Sequence, residues 1–157
     1  MNIKGETIVY PLPGVELLEK REKKWRLSLP KDYKDFILKY NGSIPDTKSF
    51  TCNNRSYAIS RFLCILENTK EDKYGWYDIG VVESQVGERL TDKEDLIGVE
   101  VLPIAELFAG DYLCLDFRKD KLNPSVCVWN HEESGDFEPV TYWVAGSFED
   151  FTKLLSE

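Results

Sequence analysis

Residues 98–133, GVEVLPIAELFAGDYLCLDFRKDKLNPSVCVWNHEE, decide the fold, because they hold the densest set of strand-forming residues in the chain and its only histidine. Three apolar runs, at 99–104, 112–117 and 126–129, are each bounded by turn-forming residues. In the middle run Leu, Leu and Phe alternate with Tyr, Cys and Asp, so one face of the strand points to a core while the other stays partly polar. We therefore predict neighbouring antiparallel strands that form the sheet of an α+β domain.

Apolar residues spaced three and four positions apart predict four helices outside this stretch. The first begins near Val15, and the second has Pro30 as its first residue. Asn41 and Gly42 are expected to end the second helix, since both residues tolerate the left-handed conformation, and for Asn41 a helix stop is favoured over a functional amide. A third helix is predicted over 79–90, and a last one begins at Ser147, whose hydroxyl is placed to cap the amide three residues later.

Two further strand regions flank the central stretch. Residues 49–66 are predicted to form two strands that meet at a polar turn, and residues 141–145 form one more. Residues 1–14 are expected to be an extended arm or a short edge strand because they contain Pro11, Pro13 and Gly14. Trp129 and Trp143 both lie on predicted strands, where burial in a core is favoured over a role in an interface.

The composition fits a single domain over residues 1–157. With 42% hydrophobic residues, a chain of this size buries a sizeable core without a metal or a disulfide. The four cysteines lack CxxC spacing and three of them lie in apolar runs, so buried, reduced thiols are expected, with Cys114 and Cys127 facing each other on adjacent strands. No signal sequence or bilayer-spanning run is found, which predicts a cytoplasmic protein that does not bind membranes.

Charge is unevenly distributed along the chain, whose formal net charge is −8. Residues 1–80 contain 14 Lys or Arg and 11 Asp or Glu, whereas residues 81–157 contain 6 and 17. An acidic half disfavours nucleic-acid binding and attracts basic partners, or else serves only solubility. The one dense basic run is interpreted as a solvated helix face; it comprises Lys20, Arg21, Lys23, Lys24 and Arg26.

Candidate chemistry centres on His131 and the acids around it. A metal-dependent hydrolase would need carboxylates to join the imidazole, and the possible ligands are Asp111, Asp116, Glu132 and Glu133. Their spacing matches no known metal-site pattern, and the chain has neither a GxSxG element nor a phosphate-binding loop. We therefore favour a structural or binding role for His131, with no catalytic residues, metal or cofactor.

Three motifs give the chain a resemblance to a known family. Residues 27–42, LSLPKDYKDFILKYNG, form a Leu-Pro step, a Tyr-containing helix and an Asn-Gly stop, with Ser43 in place of a second glycine. Residues 103–116, PIAELFAGDYLCLD, contain Ile-Ala, Gly-Asp and a strand ending in Leu-Asp. Residues 127–132, CVWNHE, precede a closing SFEDF at 147–151. In this order, the motifs resemble those of the SMI/KNR branch of the SUKH superfamily.

That resemblance implies an α+β domain with a mixed or mostly antiparallel sheet, and a non-enzymatic immunity protein that binds and neutralises a cognate polymorphic toxin. Because many such toxins are nucleases with basic clefts, acidic residues are expected to mimic the nucleic acid. The predicted partner-binding residues are Glu132, Glu133, Asp136 and Glu138, together with His131 and Trp129. A regulatory adaptor for another intracellular protein is the first alternative, and a small metal-dependent hydrolase is the second.

Overall fold

A computed structural model describes residues 1–157 as an α+β domain built on a six-stranded antiparallel sheet. The strands are β1 (Ile3–Lys4), β2 (Ile44–Pro45), β3 (Ser49–Cys52), β4 (Arg55–Phe62), β5 (Val101–Leu107), β6 (Tyr112–Asp116), β7 (Ser125–Trp129) and β8 (Thr141–Ala145). Strands β3 to β8 form the sheet in sequence order, and a separate pair, β1 and β2, joins the amino terminus to the chain after the second helix. The helices are α1 (Val15–Trp25), α2 (Lys31–Tyr40), α3 (Ile79–Val86) and α4 (Phe148–Thr152).

The central stretch forms β5, β6 and β7 as predicted. Leu113, Leu115 and Phe117 point into the main core, to which all four helices contribute buried residues. The opposite face is less polar than expected, because Cys114 is fully buried there in a second apolar cluster. This cluster forms because the segment after α3 covers that face; its members are Leu90, Val101, Cys114, Cys127 and Trp129.

The two ends of the sheet approach each other. The β3–β4 hairpin turns at Asn53 and Asn54, with φ values of 51° and 60°, as in the type I′ turn that suits the twist of antiparallel strands. The thiol of Cys52 lies 3.3 Å from the carbonyl oxygen of Trp143 on β8. Ser49 pairs with Ser156 near the carboxyl terminus. The sheet is therefore strongly curved, and the outer edge of β3 is partly covered.

The predicted apolar stripe of α2 is confirmed, but the helix begins one residue later than expected. Tyr33, Phe36 and Ile37 are buried, and the ring of Phe36 packs edge-on against Phe62 at 4.7 Å. Pro30 lies one residue before the helix, in an extended conformation, where its fixed φ suits the entry into the first turn.

Asn41 and Gly42 end α2 as predicted, and the Asn41 side chain also has a structural role. Its φ of −44° is ordinary, and only Gly42, with φ 65°, adopts the left-handed conformation. The buried Asn41 side chain donates to the carbonyls of Val9 and Ile65 and accepts from the amide of Ile65. It therefore joins the amino-terminal arm to the chain after β4, since buried backbone groups must find partners.

The residues after β4 differ from the predicted strand. Residues 63–66 are buried, but only Cys64 makes a bridge, parallel to Asp78. Helix α3 is shorter than predicted, because Gly87 begins a 3-10 turn. At the carboxyl end, Ser147 caps α4 as predicted, accepting from the Asp150 amide at 3.1 Å.

A buried ion pair joins α1 to α3. The Arg21 guanidinium donates two hydrogen bonds to the Asp78 carboxylate, at 2.9 and 2.8 Å. The same carboxylate accepts from the amides of Leu66, Gly80 and Val81, so it also caps α3. Arg21 was therefore wrongly placed on a solvated face: only 14% of its side chain is exposed, against 1% for Asp78.

The two tryptophans on the last strands of the sheet have opposite environments. Trp129 is 1% exposed, which confirms its predicted burial. Trp143 is 68% exposed, so its assignment to the core was wrong. It pairs with Cys127 in the register of β7 and β8 but does not belong to the second apolar cluster. None of the four helices has the length and apolar character needed to cross a bilayer.

Removal of the Asp78 carboxylate is expected to destabilise the fold strongly. Asp78→Ala leaves the Arg21 charge uncompensated in a buried site, and we expect the free energy of unfolding to fall by about 3–5 kcal/mol. Asp78→Asn should lose less, because the amide oxygen still caps α3. Urea unfolding measures both. As a matched control, Asp35→Asn breaks the exposed pair with Lys31 and should leave the urea midpoint almost unchanged. Equal losses of stability in Asp78→Ala and Asp35→Asn would contradict the structural role of the buried Arg21–Asp78 pair.

The cysteine thiols are expected to resist alkylation in the folded protein. All four are buried and free, and burial raises the pKa of Cys64 to about 12. Since only the thiolate reacts, iodoacetamide near pH 8 should modify native Cys64 far more slowly than the same thiol in urea. Mass spectrometry of the alkylated chain gives the rates, and rapid modification of Cys64 under native conditions would show that its surroundings open readily.

Candidate partner-binding site

An Asp–His pair fixes the start of the acidic loop, which we define as residues 130–139 between β7 and β8. One carboxylate oxygen of Asp111 accepts from the backbone amide of His131 at 2.9 Å and contacts its Nδ1 at 2.6 Å. An ionised carboxylate can only accept, so Nδ1 carries the hydrogen. The Nε2 atom lies on the other side of a ring that is 34% exposed. It is therefore placed to exchange one hydrogen bond with a partner.

The turn between β5 and β6 is shaped to receive this imidazole. Gly110 has a φ of 101°, and a Cβ at this position would lie 3.2 Å from Cε1 of His131. The preceding Ala109 also has a positive φ, of 74°. The tight turn thus brings Asp111 under the ring. Two motifs that are 20 residues apart in sequence, Gly-Asp and Trp-x-His, form one structural unit.

Arg89 holds the acidic loop against the rest of the fold. Its guanidinium donates to the carbonyl oxygens of His131 and Ser134, the latter at 2.9 Å. It also lies 5.1 Å from the centre of the Trp129 ring, and the indole N–H donates to the Arg89 carbonyl at 2.9 Å. The sequence interpretation missed Arg89, although it is the only Lys or Arg in residues 74–92. Trp129 lies beneath the loop and supports it from below.

Further hydrogen bonds order the loop from within. The buried side chain of Asn130 accepts from the Glu133 amide at 2.9 Å. The Ser134 hydroxyl accepts from the Val140 amide at 2.8 Å. The amide of Phe137 donates to the Glu88 carbonyl at 2.6 Å. The loop therefore has a defined shape before any partner binds.

The four predicted acids are all exposed but differ in their neighbours. Glu133 is held by the Tyr142 hydroxyl at 2.8 Å and by Arg55 at 3.3 Å, and its hydrogen bond raises the pKa of Tyr142. Glu132 has 82% of its side chain exposed, with its carboxylate 3.9 Å from Nε2 of His131. Asp136 and Glu138 are exposed and form no ion pair. Three carboxylates are thus available to a partner, whereas Glu133 already has protein partners.

The remaining candidate metal ligand, Asp116, is bound by a neighbouring arginine. Asp116 accepts two hydrogen bonds from the Arg118 side chain, at 2.9 and 2.8 Å. Burial alone would raise the pKa of Asp116, but the hydrogen bonds and charge of Arg118 lower it. No group of three or more His, Cys, Asp or Glu side chains is arranged to hold a metal ion.

Loss of the Asp111 carboxylate should destabilise the loop and the fold together. Asp111→Ala leaves the His131 amide without its acceptor, and we expect a loss of about 1–3 kcal/mol in the free energy of unfolding. Glu132→Ala, one residue beyond His131, should change stability by less than about 0.5 kcal/mol because its carboxylate is exposed. Thermal or urea unfolding compares the two variants. A free energy of unfolding that Asp111→Ala leaves unchanged would contradict a structural role for the Asp–His pair.

Comparison with known proteins identifies a family for the chain. A curated relative, the SPbeta prophage-derived uncharacterized protein YokK of Bacillus subtilis (strain 168), is 26% identical over 137 residues. That alignment covers 81% of this chain and 66% of the relative, so the chain spans slightly less than two thirds of the relative's length. No solved structure was found to match. The family model SUKH_6, described as SMI1-KNR4 cell-wall, matches residues 15–152. Because this match includes most of the chain and all three motifs, the protein belongs to the SUKH_6 (SMI1-KNR4) family.

Proposed function

We propose that this protein is a non-enzymatic immunity protein, which binds a cognate polymorphic toxin in the cytoplasm and blocks its active site. The family match over residues 15–152 carries the proposal, because SUKH proteins commonly bind toxins and act without catalysis.

The acidic loop supplies the surface in this proposal. Glu132, Asp136 and Glu138 present exposed carboxylates on a backbone that Arg89 and Asp111 hold in place. A loop that is ordered before binding loses less conformational entropy when the complex forms. Exposed acids on such a loop complement the basic cleft of a nuclease, and they raise the association rate through long-range attraction.

Co-expression tests the proposal directly. The toxin domain encoded immediately upstream of this gene should arrest growth of the host cell when expressed alone. Expression of the chain should restore growth, and the two purified proteins should form a stable complex. Continued growth arrest in the presence of soluble, folded chain would reject this pairing.

Charge reversal in the acidic loop tests the surface. The triple variant Glu132→Lys, Asp136→Lys and Glu138→Lys should weaken toxin binding by about tenfold to hundredfold, since each reversal replaces an attraction with a repulsion. A control of equal net charge carries Glu6→Lys, Glu16→Lys and Glu67→Lys, all exposed and outside the loop. Calorimetric titration against the toxin compares the affinities of the two triple variants. Equal losses of affinity would show that only the total charge of the chain matters.

A regulatory adaptor remains the second candidate because the matched family is described by its SMI1-KNR4 cell-wall members. An adaptor would bind a resident protein of the cell in the absence of any toxin. Affinity capture from the native organism distinguishes the two. A stoichiometric housekeeping partner that is lost in the acidic-loop variant, combined with no protection against the upstream toxin domain, would favour the adaptor.

A further inference from the structure

A groove of about 690 Å³ lies at the opposite end of the β5–β6 hairpin from His131. Its walls are the carboxyl end of α1, the loop before β5 and the loop after β6. Val99 and Phe117 form an apolar floor that is continuous with the main core. Volumes of this size accommodate a few side chains of a bound peptide.

Two large aliphatic side chains border this groove in open solvent. Ile97 is 69% exposed and Leu122 is 74% exposed. They come from different loops, one before β5 and one after β6, so the fold brings them to one groove. Exposed apolar residues that are grouped around a concavity and rimmed by polar groups mark binding surfaces more often than scattered ones do.

The rim of the groove is positive although the chain as a whole is acidic. Lys23, Arg26 and Lys121 line it and form no ion pair. Three acids also line the groove. Glu22 is engaged by the Leu29 amide at 2.7 Å and by Lys34 at 3.5 Å, and Glu100 pairs with Lys93 at 2.9 Å. Glu19 forms no ion pair, so three unpaired cations face one unpaired acid. In a chain of net charge −8, unpaired cations around an apolar floor complement a ligand that is both acidic and apolar.

Arg26 occupies a backbone position that favours glycine. It ends α1 in the left-handed conformation, with φ 57° and ψ 46°, where glycine is the usual residue. The facing loop is fitted closely to this turn: Val99 donates to the Trp25 carbonyl at 2.8 Å, and a Cβ on Gly98 would lie 2.5 Å from that oxygen. A cation is thus held in a strained conformation at the groove, a feature that stability alone does not explain.

We infer that this groove docks an acidic peptide segment of a partner protein, anchored by an aliphatic or aromatic side chain on Val99 and Phe117. A second copy of the chain fits less well, because two molecules of net charge −8 repel each other. The groove is separate from the acidic loop, so one partner can be bound at each end of the hairpin.

Panning of a random-peptide phage library against the immobilised full chain tests this inference. Enriched sequences should combine Asp or Glu with Leu, Ile or Phe. For a synthetic enriched peptide, Arg26→Gly and Lys121→Ser should each weaken binding by about three- to tenfold, and Leu122→Ser by about tenfold or more. Arg26→Gly should also raise Tm by a few degrees because it relieves the left-handed strain, so its loss of binding does not reflect unfolding.

Two controls make the result specific to the groove. Lys119→Ser removes a nearby exposed cation that does not line the groove and should leave peptide affinity unchanged. Glu138→Gln alters the acidic loop and should also leave it unchanged, which separates this inference from the proposed function. No enrichment, enrichment of peptides without acids, or affinity unaffected by Arg26→Gly would overturn it. Enrichment of peptides that resemble residues 132–138, together with a molecular mass of the purified chain that rises with its concentration, would instead identify a second copy of the chain as the occupant.

Discussion

The Asp78 carboxylate is the contact on which both faces of the sheet depend. It receives the Arg21 guanidinium from α1, the amide of Leu66 from the chain after β4, and the first amides of α3. A single buried charge therefore fixes the position of α1 on the main core and the direction in which α3 starts. Because α3 leads into the segment that covers the second apolar cluster, both sides of the sheet follow from this network.

The same architecture places two different surfaces at opposite ends of the β5–β6 hairpin. At one end, the turn at Gly110 and the Asp111 carboxylate hold His131 and the acidic loop. At the other end, the groove is bordered by exposed aliphatic side chains and unpaired cations. If both proposals hold, the acidic loop meets a basic partner and the groove an acidic one, and long-range attraction orients each encounter before contact is made.

Rigid support beneath the surface is common to both ends. Arg89 joins three carbonyl and aromatic partners under the acidic loop, while Gly98 and Val99 lock the groove wall onto the end of α1. The exposed side chains are therefore carried by an ordered backbone. Binding at such surfaces requires little rearrangement, so specificity depends on which charges and apolar groups are displayed.

The sequence by itself determined the strands of residues 98–133, the α2 stripe, the Ser147 cap and the exposure of the four loop acids, since each depends on local periodicity or turn chemistry. Only the tertiary structure decided that Arg21 is buried, that Arg89 and Asp111 support the acidic loop, and that Trp143 is exposed. Arg21 meets a partner 57 residues away, and Arg89 meets carbonyls more than 40 residues away. Local patterns carry no information about such distances, because a buried charge is distinguished from a solvated one only by what the fold places beside it.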